Sequence, residues 1–515
     1  MIAAPADAAG ASPRRALVTV SVMLATIMQA VDTTIANVAL PQMRGSMGAT
    51  QDQIAWVLTS YIVAAAVTMP LTGFIAARIG RKRLFVASVI GFTIASMLCG
   101  AAQSLTQIVL FRLLQGVFGA SLVPLSQAVL LDAYPSERHG SAMAIWGVGV
   151  MVGPILGPSL GGWLTEHYDW RWTFYINLPV GVLAWLGVSL FVEETPVDRA
   201  RRFDLFGFGL LGLAIGTLQL MLDRGESLDW WSSAEIVAES LVAAVALYMF
   251  VVHMFTHPQP FLEPVLFRDR NFVVGSTCMF AVGGILFATM VLLPSMLHDL
   301  MGYPVVDVGL LLVPRGVGTM LAMLAVGRLV GRVDTRVQIG LGLLLTSLAM
   351  WEMTRFSLDT PASIVAYTGV VQGLGLGFVF VPLSTISFST LPPRLRNEGA
   401  ALFSLMRNIG SSIGISVVVA LLAQNAQANH AALAEFLNPY SLPLREAAES
   451  GAYDLASPAS LALLNAELTR QSAMLGYLQN FRLMMWVALG VLPLVLLLRP
   501  VRGPAGTVAA TAAAE

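Results

Sequence analysis

Gln115-Gly116 followed by Pro124-Leu125-Ser126, then Gln372-Gly373 followed by Pro382-Leu383-Ser384: the same marks stand about 257 positions apart, and they decide the fold. Gly73 and Arg78 close one apolar run, and Gly327 and Arg332 close another 254 residues on; Gly140 and Gly399 extend the register. The chain therefore contains itself twice, in the same direction. Among apolar helices, such a duplication builds two bundles related by an axis along the membrane normal, with a central cavity between them.

Composition fixes the solvent. Of 515 residues 56% are apolar and 11% charged, with a mean hydropathy of +0.75, which excludes a soluble globular protein. Each bilayer crossing needs about 20 apolar residues. Fourteen such runs begin near Ala16, Asp52, Leu84, Thr106, Gly140, Trp172, Phe203, Ala234, Asn271, Asp307, Val337, Ala362, Gly399 and Asn480, and the first is too long for a signal-peptide core. The expected fold is all-α and polytopic. In the repeat the second run matches the tenth and the fourth the twelfth, so two helices are inserted between six-helix halves. That predicts a bundle over 1–200, an inserted pair over 201–258 and a second bundle over 259–515, the last with a long external loop at 424–478. Most of the 29 Arg and Lys residues, Arg14, Arg15, Arg81, Lys82, Arg83, Arg199, Arg201 and Arg202 among them, fall on one side when both termini are placed in the cytoplasm.

Three arginines, Arg112, Arg315 and Arg407, lie inside runs, and so does Asp32, well along the first. An ionised carboxylate there costs about 2.5 to 3.5 kcal/mol on insertion scales, so it needs a partner or a function. Burial disfavours the ionised form of a carboxyl group and a neighbouring cation favours it; a conformational change that alters either takes up or releases a proton. Arg112 is the natural counterpart, on a helical face with Gln115, Gly119 and Ser126. A permanent helix–helix hydrogen bond for Asp32, and a guanidinium reaching the outer interface for Arg112, are the structural alternatives. In the fifth run Gly149, Gly153-Pro154, Gly157-Pro158 and Gly161 form a ladder of small residues at mostly four-residue spacing. That pattern lets helix backbones touch, and it predicts close packing or a hinge between the halves.

Val31-Asp32-Thr33-Thr34 through Pro41, the loop motif Gly73 to Arg83, Leu110 to Gly119 around Arg112, and Gly149 to Gly162 together resemble the major facilitator superfamily, and within it the 14-span drug:proton antiporters of the EmrB type. The likeness covers nearly the whole chain, including the inserted pair and the long penultimate loop. It implies proton-driven multidrug efflux across a bacterial inner membrane, with protonation at Asp32, coupling through Arg112 and sealing by Gly149, Gly153, Pro154 and Gly157. It also implies a periplasmic adaptor and an outer-membrane channel as partners, with 424–478 as the adaptor contact. The loop motif usually has an acid where this chain has Ala77, so Gly73, Arg78 and Gly80 are expected to shape the turn, and Arg81-Lys82-Arg83 to set orientation.

Buried bases outnumber buried acids, which suits neutral or weakly acidic amphiphiles as substrates. Cavity candidates are Gln29, Asn37, Tyr61, Gln115, Ser126, Gln372 and Arg407, beside methionines that adapt to varied apolar shapes. No Gly-rich phosphate loop is present, so the proton motive force rather than ATP is the expected energy source, with no cofactor. The six histidines show no metal-ligand spacing; His253 and His257 are four apart and are expected to lack a third ligand. Cys99 and Cys278 lie in different runs, and a net charge of −1 argues against nucleic acid. Nothing indicates an enzyme. Besides broad drug efflux, two readings stand: a dedicated exporter of one native metabolite such as a siderophore, fatty acid or antibiotic, and a non-transporting membrane scaffold.

Overall fold

A computed structural model describes residues 11–135, 138–197, 203–329, 332–437, 441–449 and 457–499. The domain boundary expected at 200/201, with Arg199, Arg201 and Arg202, and both chain ends lie outside the described residues, as does the side chain of Pro154. The first half comprises α1 (Ala11–Met47), α2 (Gln51–Thr68), α3 (Leu71–Ile79), α4 (Arg81–Ala101), α5 (Leu105–Gly119), α6 (Leu122–Ala133), α7 (His139–His167), α8 (Trp172–Tyr175) and α9 (Asn177–Phe191). Next come α10 (Leu205–Arg224) and α11 (Ala234–Thr256). The second half holds α12 (Arg270–Ser295), α13 (Val305–Leu329), α14 (Thr335–Met353), α15 (Ala362–Ser389), α16 (Arg396–Ala434), α17 (Leu442–Glu449) and α18 (Pro458–Val495).

Hydrocarbon offers the backbone no water, so each apolar run closes its own hydrogen bonds as a helix. Polar residues at the ends take the orphan amides: Thr50 and Gln53 form a reciprocal cap on α2, Ser104 accepts from Gln107 on α5, and Asp269 from Phe272 on α12. Prolines account for the breaks. The run from Asp52 bends by 57° between α2 and α3 beside Pro70, and the run from Thr106 divides into α5 and α6 just ahead of Pro124.

Among the described residues, twelve helices are long and apolar enough to cross a membrane, and the bent α2–α3 pair makes a thirteenth. The eleventh expected run, from Val337, forms α14, a 19-residue helix that carries Arg336 and Glu352 near its ends and is not among these spans. The long loop departs further from expectation. α16 continues past Gln424 to Ala434, and α18 begins at Pro458, well before the expected Asn480. At 1.5 Å per residue these helices of 39 and 38 residues run to about 58 Å, against an apolar core of about 30 Å. They leave the membrane as a hairpin, stitched by Asn429 Nδ2 to Ser472 O at 3.3 Å and His430 Nε2 to Asn465 Oδ1 at 3.2 Å.

The glycine ladder packs elsewhere than the sequence predicts. A methyl group added at Gly153 would collide with the Ala30 carbonyl, and one at Gly157 with the Thr34 hydroxyl, while Thr34 Oγ1 donates to Gly153 O at 3.0 Å. Gly149 and Gly161 face Met23 and Ile35. All four seat α1 on α7 within the first half, not at the seam. The second half repeats the device, with Gly410 against Phe280 and Gly414 against Gly284 seating α12 on α16. Other residues of α7 make the seam: Ile155 against Gly316, Ser141 Oγ donating to Gly327 O at 3.0 Å, and Trp146 stacked on Phe380 with centroids 5.8 Å apart.

One end of the bundle, here the basic end, is tied across the halves by charge. Asp132 accepts from Arg81 at 2.5 Å and from Arg396 of the second half at 2.6 Å, and Arg81 reaches Asn397 at 3.5 Å. Gly73 lets α3 lie on the backbone of Glu398. The inserted α10 also touches both halves, with Gly212 against Val67 and the Ser416 hydroxyl donating to Leu222 O at 2.7 Å.

Candidate functional site

Seating α1 on α7 turns Asp32 inward, where its side chain is fully buried. A carboxylate can accept about four hydrogen bonds, and three donors reach this one. Arg112 Nη1 of α5 donates to Oδ2 at 2.8 Å; Gln115 Nε2, one turn on, and Asn177 Nδ2 at the start of α9 each donate to Oδ1 at 2.8 Å. Arg112 is held in turn: Nε donates to Val57 O at 3.1 Å, Nη1 to Gln115 Oε1 at 2.7 Å, and the guanidinium lies over the Tyr61 ring at 4.5 Å and Phe174 at 5.6 Å. Tyr61 accepts from Gln29 Nε2 at 3.2 Å, and Asn177 is fixed by Ser96 Oγ at 2.9 Å. A buried ion pair whose carboxylate accepts three hydrogen bonds is balanced as it stands, and adding or removing one proton unbalances the whole set.

Of the sequence candidates, Asp32, Arg112, Gln115, Tyr61 and Gln29 thus converge. Others do not. Asn37 is exposed and only reaches back to Thr33 O at 3.5 Å. Ser126 accepts from Trp146 Nε1 at 2.8 Å and supports the seam stack. Gln372 and Arg407 belong to the other half, where Gln372 Nε2 donates to Thr289 Oγ1 at 3.1 Å and Arg407 Nη2 to Asn408 Oδ1 at 3.4 Å. Gly80, with φ of 99°, makes the α3–α4 turn that only glycine adopts easily, and the Glu194 carboxylate fills the place of its missing side chain, accepting from the amides of Lys82 and Arg83. Arg78 lies over Phe74 at 5.9 Å.

Sequence reasoning missed Asn177, whose signal was an amide among apolar residues near the start of the sixth run. It also gave Arg81 to orientation alone, whereas that side chain is buried and shares Asp132 with Arg396. The histidine pair does have a third polar neighbour: Asp204 Oδ2 meets His253 Nε2 at 2.9 Å, and His257 stacks on His253 at 4.7 Å. Asp204 is already engaged, accepting from Gly207 N at 2.8 Å as the cap of α10 and from Phe261 N at 3.0 Å. Burial raises the Asp204 pKa, and these hydrogen bonds from Gly207, His253 and Phe261 outweigh it, leaving the carboxyl below its usual value.

The two halves can be superposed by register. Thr289 stands 257 positions after Asp32, as Gln372 does after Gln115; Gly369 is as far from Arg112; and Arg315 follows Tyr61 by 254, the spacing of Gly327 from Gly73. The amide-to-α12 hydrogen bond persists, with hydroxyl in place of carboxylate. Arg315 lies against Gly369, the position that Arg112 holds in the first half.

A Major Facilitator Superfamily model matches residues 22–415. The chain is 37% identical over 428 residues to "Multidrug export protein EmrB" of Escherichia coli K12, covering 82% of this chain and 83% of that protein. It is 36% identical over 487 residues to "Fatty acid resistance protein FarB" of Neisseria gonorrhoeae, covering 94% and 96%. Two solved structures share the fold at a TM-score of 0.60: the human organic anion transporter MFSD10 at 14% identity, covering 92% of this chain and 99% of that one, and the proton:xylose symporter XylE at 12%, covering 92% and 95%.

Proposed function

The chain belongs to the major facilitator superfamily, and from that premise we propose that it is a proton-coupled exporter of hydrophobic, neutral or weakly acidic drug-like compounds, with Asp32 as the proton carrier. The observation that carries this reading is the buried Asp32, held by Arg112, Gln115 and Asn177. Rocking of the halves that draws Arg112 or Asn177 away leaves an uncompensated charge, which takes a proton; closing the set expels it. Arg112 is the coupling group, and Tyr61 and Gln29 hold it in place. The ties through Asp132 at the basic end have to open once in each cycle; the arginine distribution supports a cytoplasmic position for that end and for both termini, in the inner membrane of a bacterium. Neither metal nor organic cofactor is required. The hairpin of α16 and α18 is the surface for a periplasmic adaptor, which would lead on to an outer-membrane channel.

The relative named for fatty acid resistance favours a second reading on substrate, export of a native amphiphilic acid by the same mechanism. For the first, the purified full chain in weak buffer should release protons when a transported hydrophobic compound is added, and Asp32→Asn should release none. Release from that variant equal to the parent's contradicts the assignment.

A further inference from the structure

In the first half the buried guanidinium has a carboxylate; in the second it does not. Arg315 sits near the middle of the 25-residue α13 and is 7% exposed. At 1.5 Å per residue it is about 15 Å from the nearer helix end, too deep to reach an interface by extending its side chain. Its side chain makes one hydrogen bond among the described residues, Nη2 to Leu286 O at 3.1 Å, although a guanidinium carries five donors. Arg407 leans on the same turn of α12, its backbone and Cγ against Gly283, and its buried Nε has no partner among the described residues. Gln372 is fully buried and its Oε1 is also without a partner among the described residues. No carboxylate among the described residues pairs with either arginine; the acid that the repeat would put here is replaced by Thr289.

Two cations held in an apolar bundle without counter-charge are costly, and an incoming anion relieves that cost through short charge-assisted hydrogen bonds. We propose that Arg315, backed by Arg407, is the docking site for the carboxylate of the transported compound, so that the second half selects amphiphilic carboxylic acids in their ionised form. The inference rests on the export reading and deepens it. Substrate charge then sits in one half and the exchanged proton in the other, each with its own arginine.

The test compares sodium decanoate with uncharged methyl decanoate, binding to the full chain in lipid nanodiscs at pH 8. The parent should bind decanoate at least tenfold tighter than the ester. Arg315→Gln should bring decanoate down to the ester's affinity and leave the ester unchanged, which also shows that the variant is folded. Arg315→Lys should keep part of the preference as a point charge. If Arg315→Gln binds neither ligand, Thr289→Asp decides: a carboxylate built into the site should cancel the preference while ester binding persists. A parent without preference, whether both ligands bind alike or neither binds, overturns the proposal, as does a preference that survives Arg315→Gln or Thr289→Asp. Asp32→Asn separates the two readings: it should retain the decanoate preference, and if it still pumps uphill the export mechanism fails while this site stands.

Discussion

The two halves are built on one plan and differ in one charge. Both seat their first helix with glycines on the fifth, and both send a glutamine, Gln115 or Gln372, to the equivalent position of that helix. The first half meets an acid there and closes an ion pair; the second meets Thr289 and, among the described residues, leaves Arg315 with a single carbonyl. Duplication supplies the frame, and in the proposed mechanism the polar residues at matched positions divide the work between proton and solute.

The largest test of that difference is to remove each arginine in turn. Arg112→Gln strands Asp32 in a site built for a charged partner, and should lower unfolding stability by about 3 to 5 kcal/mol. Arg315→Gln removes a cation that has no acid to strand, and thermal melts should show it unchanged or stabilised. Equal losses would erase the contrast. Next in size, Gly153→Ala pushes a methyl into the Ala30 backbone and should cost about 1 to 3 kcal/mol by overpacking, loosening α1 and with it Asp32, whereas Gly340→Ala, near only the far end of Leu492, should leave the melting temperature alone.

Much of this could be read in advance. A repeat in register and a lone acid in an apolar run constrain the answer strongly, because an unpaired charge in hydrocarbon is costly; hence Asp32 and Arg112 could be matched across 80 positions. Asn177 escaped because an amide at the edge of a run fits an interface equally well, and only folding brings it to Asp32. The direction of the glycine face escaped for a related reason: four-residue spacing reports that a helix touches another, not which one. The 424–478 segment looked like a loop because its Gln, Asn and Glu residues break the apolar run; they are polar faces of helices that have already left the bilayer.

Smaller effects probe the ends. Asp204→Ala removes the side-chain cap of α10 and should cost about 0.5 to 2 kcal/mol. Because the folded carboxyl is depressed, its contribution is full above the ordinary carboxylate range and is lost as pH falls through the folded value; protection from hydrogen exchange at the start of α10, relative to the intrinsic rate at each pH, should fall on acidification in the parent and stay flat in the variant. Asp132→Asn removes partly exposed ion pairs and should shift the closed basic end by about 1 kcal/mol at most, seen as a severalfold rise in labelling of a cysteine placed at Asn397. No change in labelling would mean that the apolar seam alone holds that end shut.

The central claim is that one carboxyl in the first half carries the proton that drives transport. Sealed vesicles with an imposed pH gradient, holding either the parent or Asp32→Asn, test it most directly. The account predicts that the variant still exchanges solute across the membrane without energy input but cannot accumulate it against a gradient; accumulation by the variant at the parent's rate would contradict it.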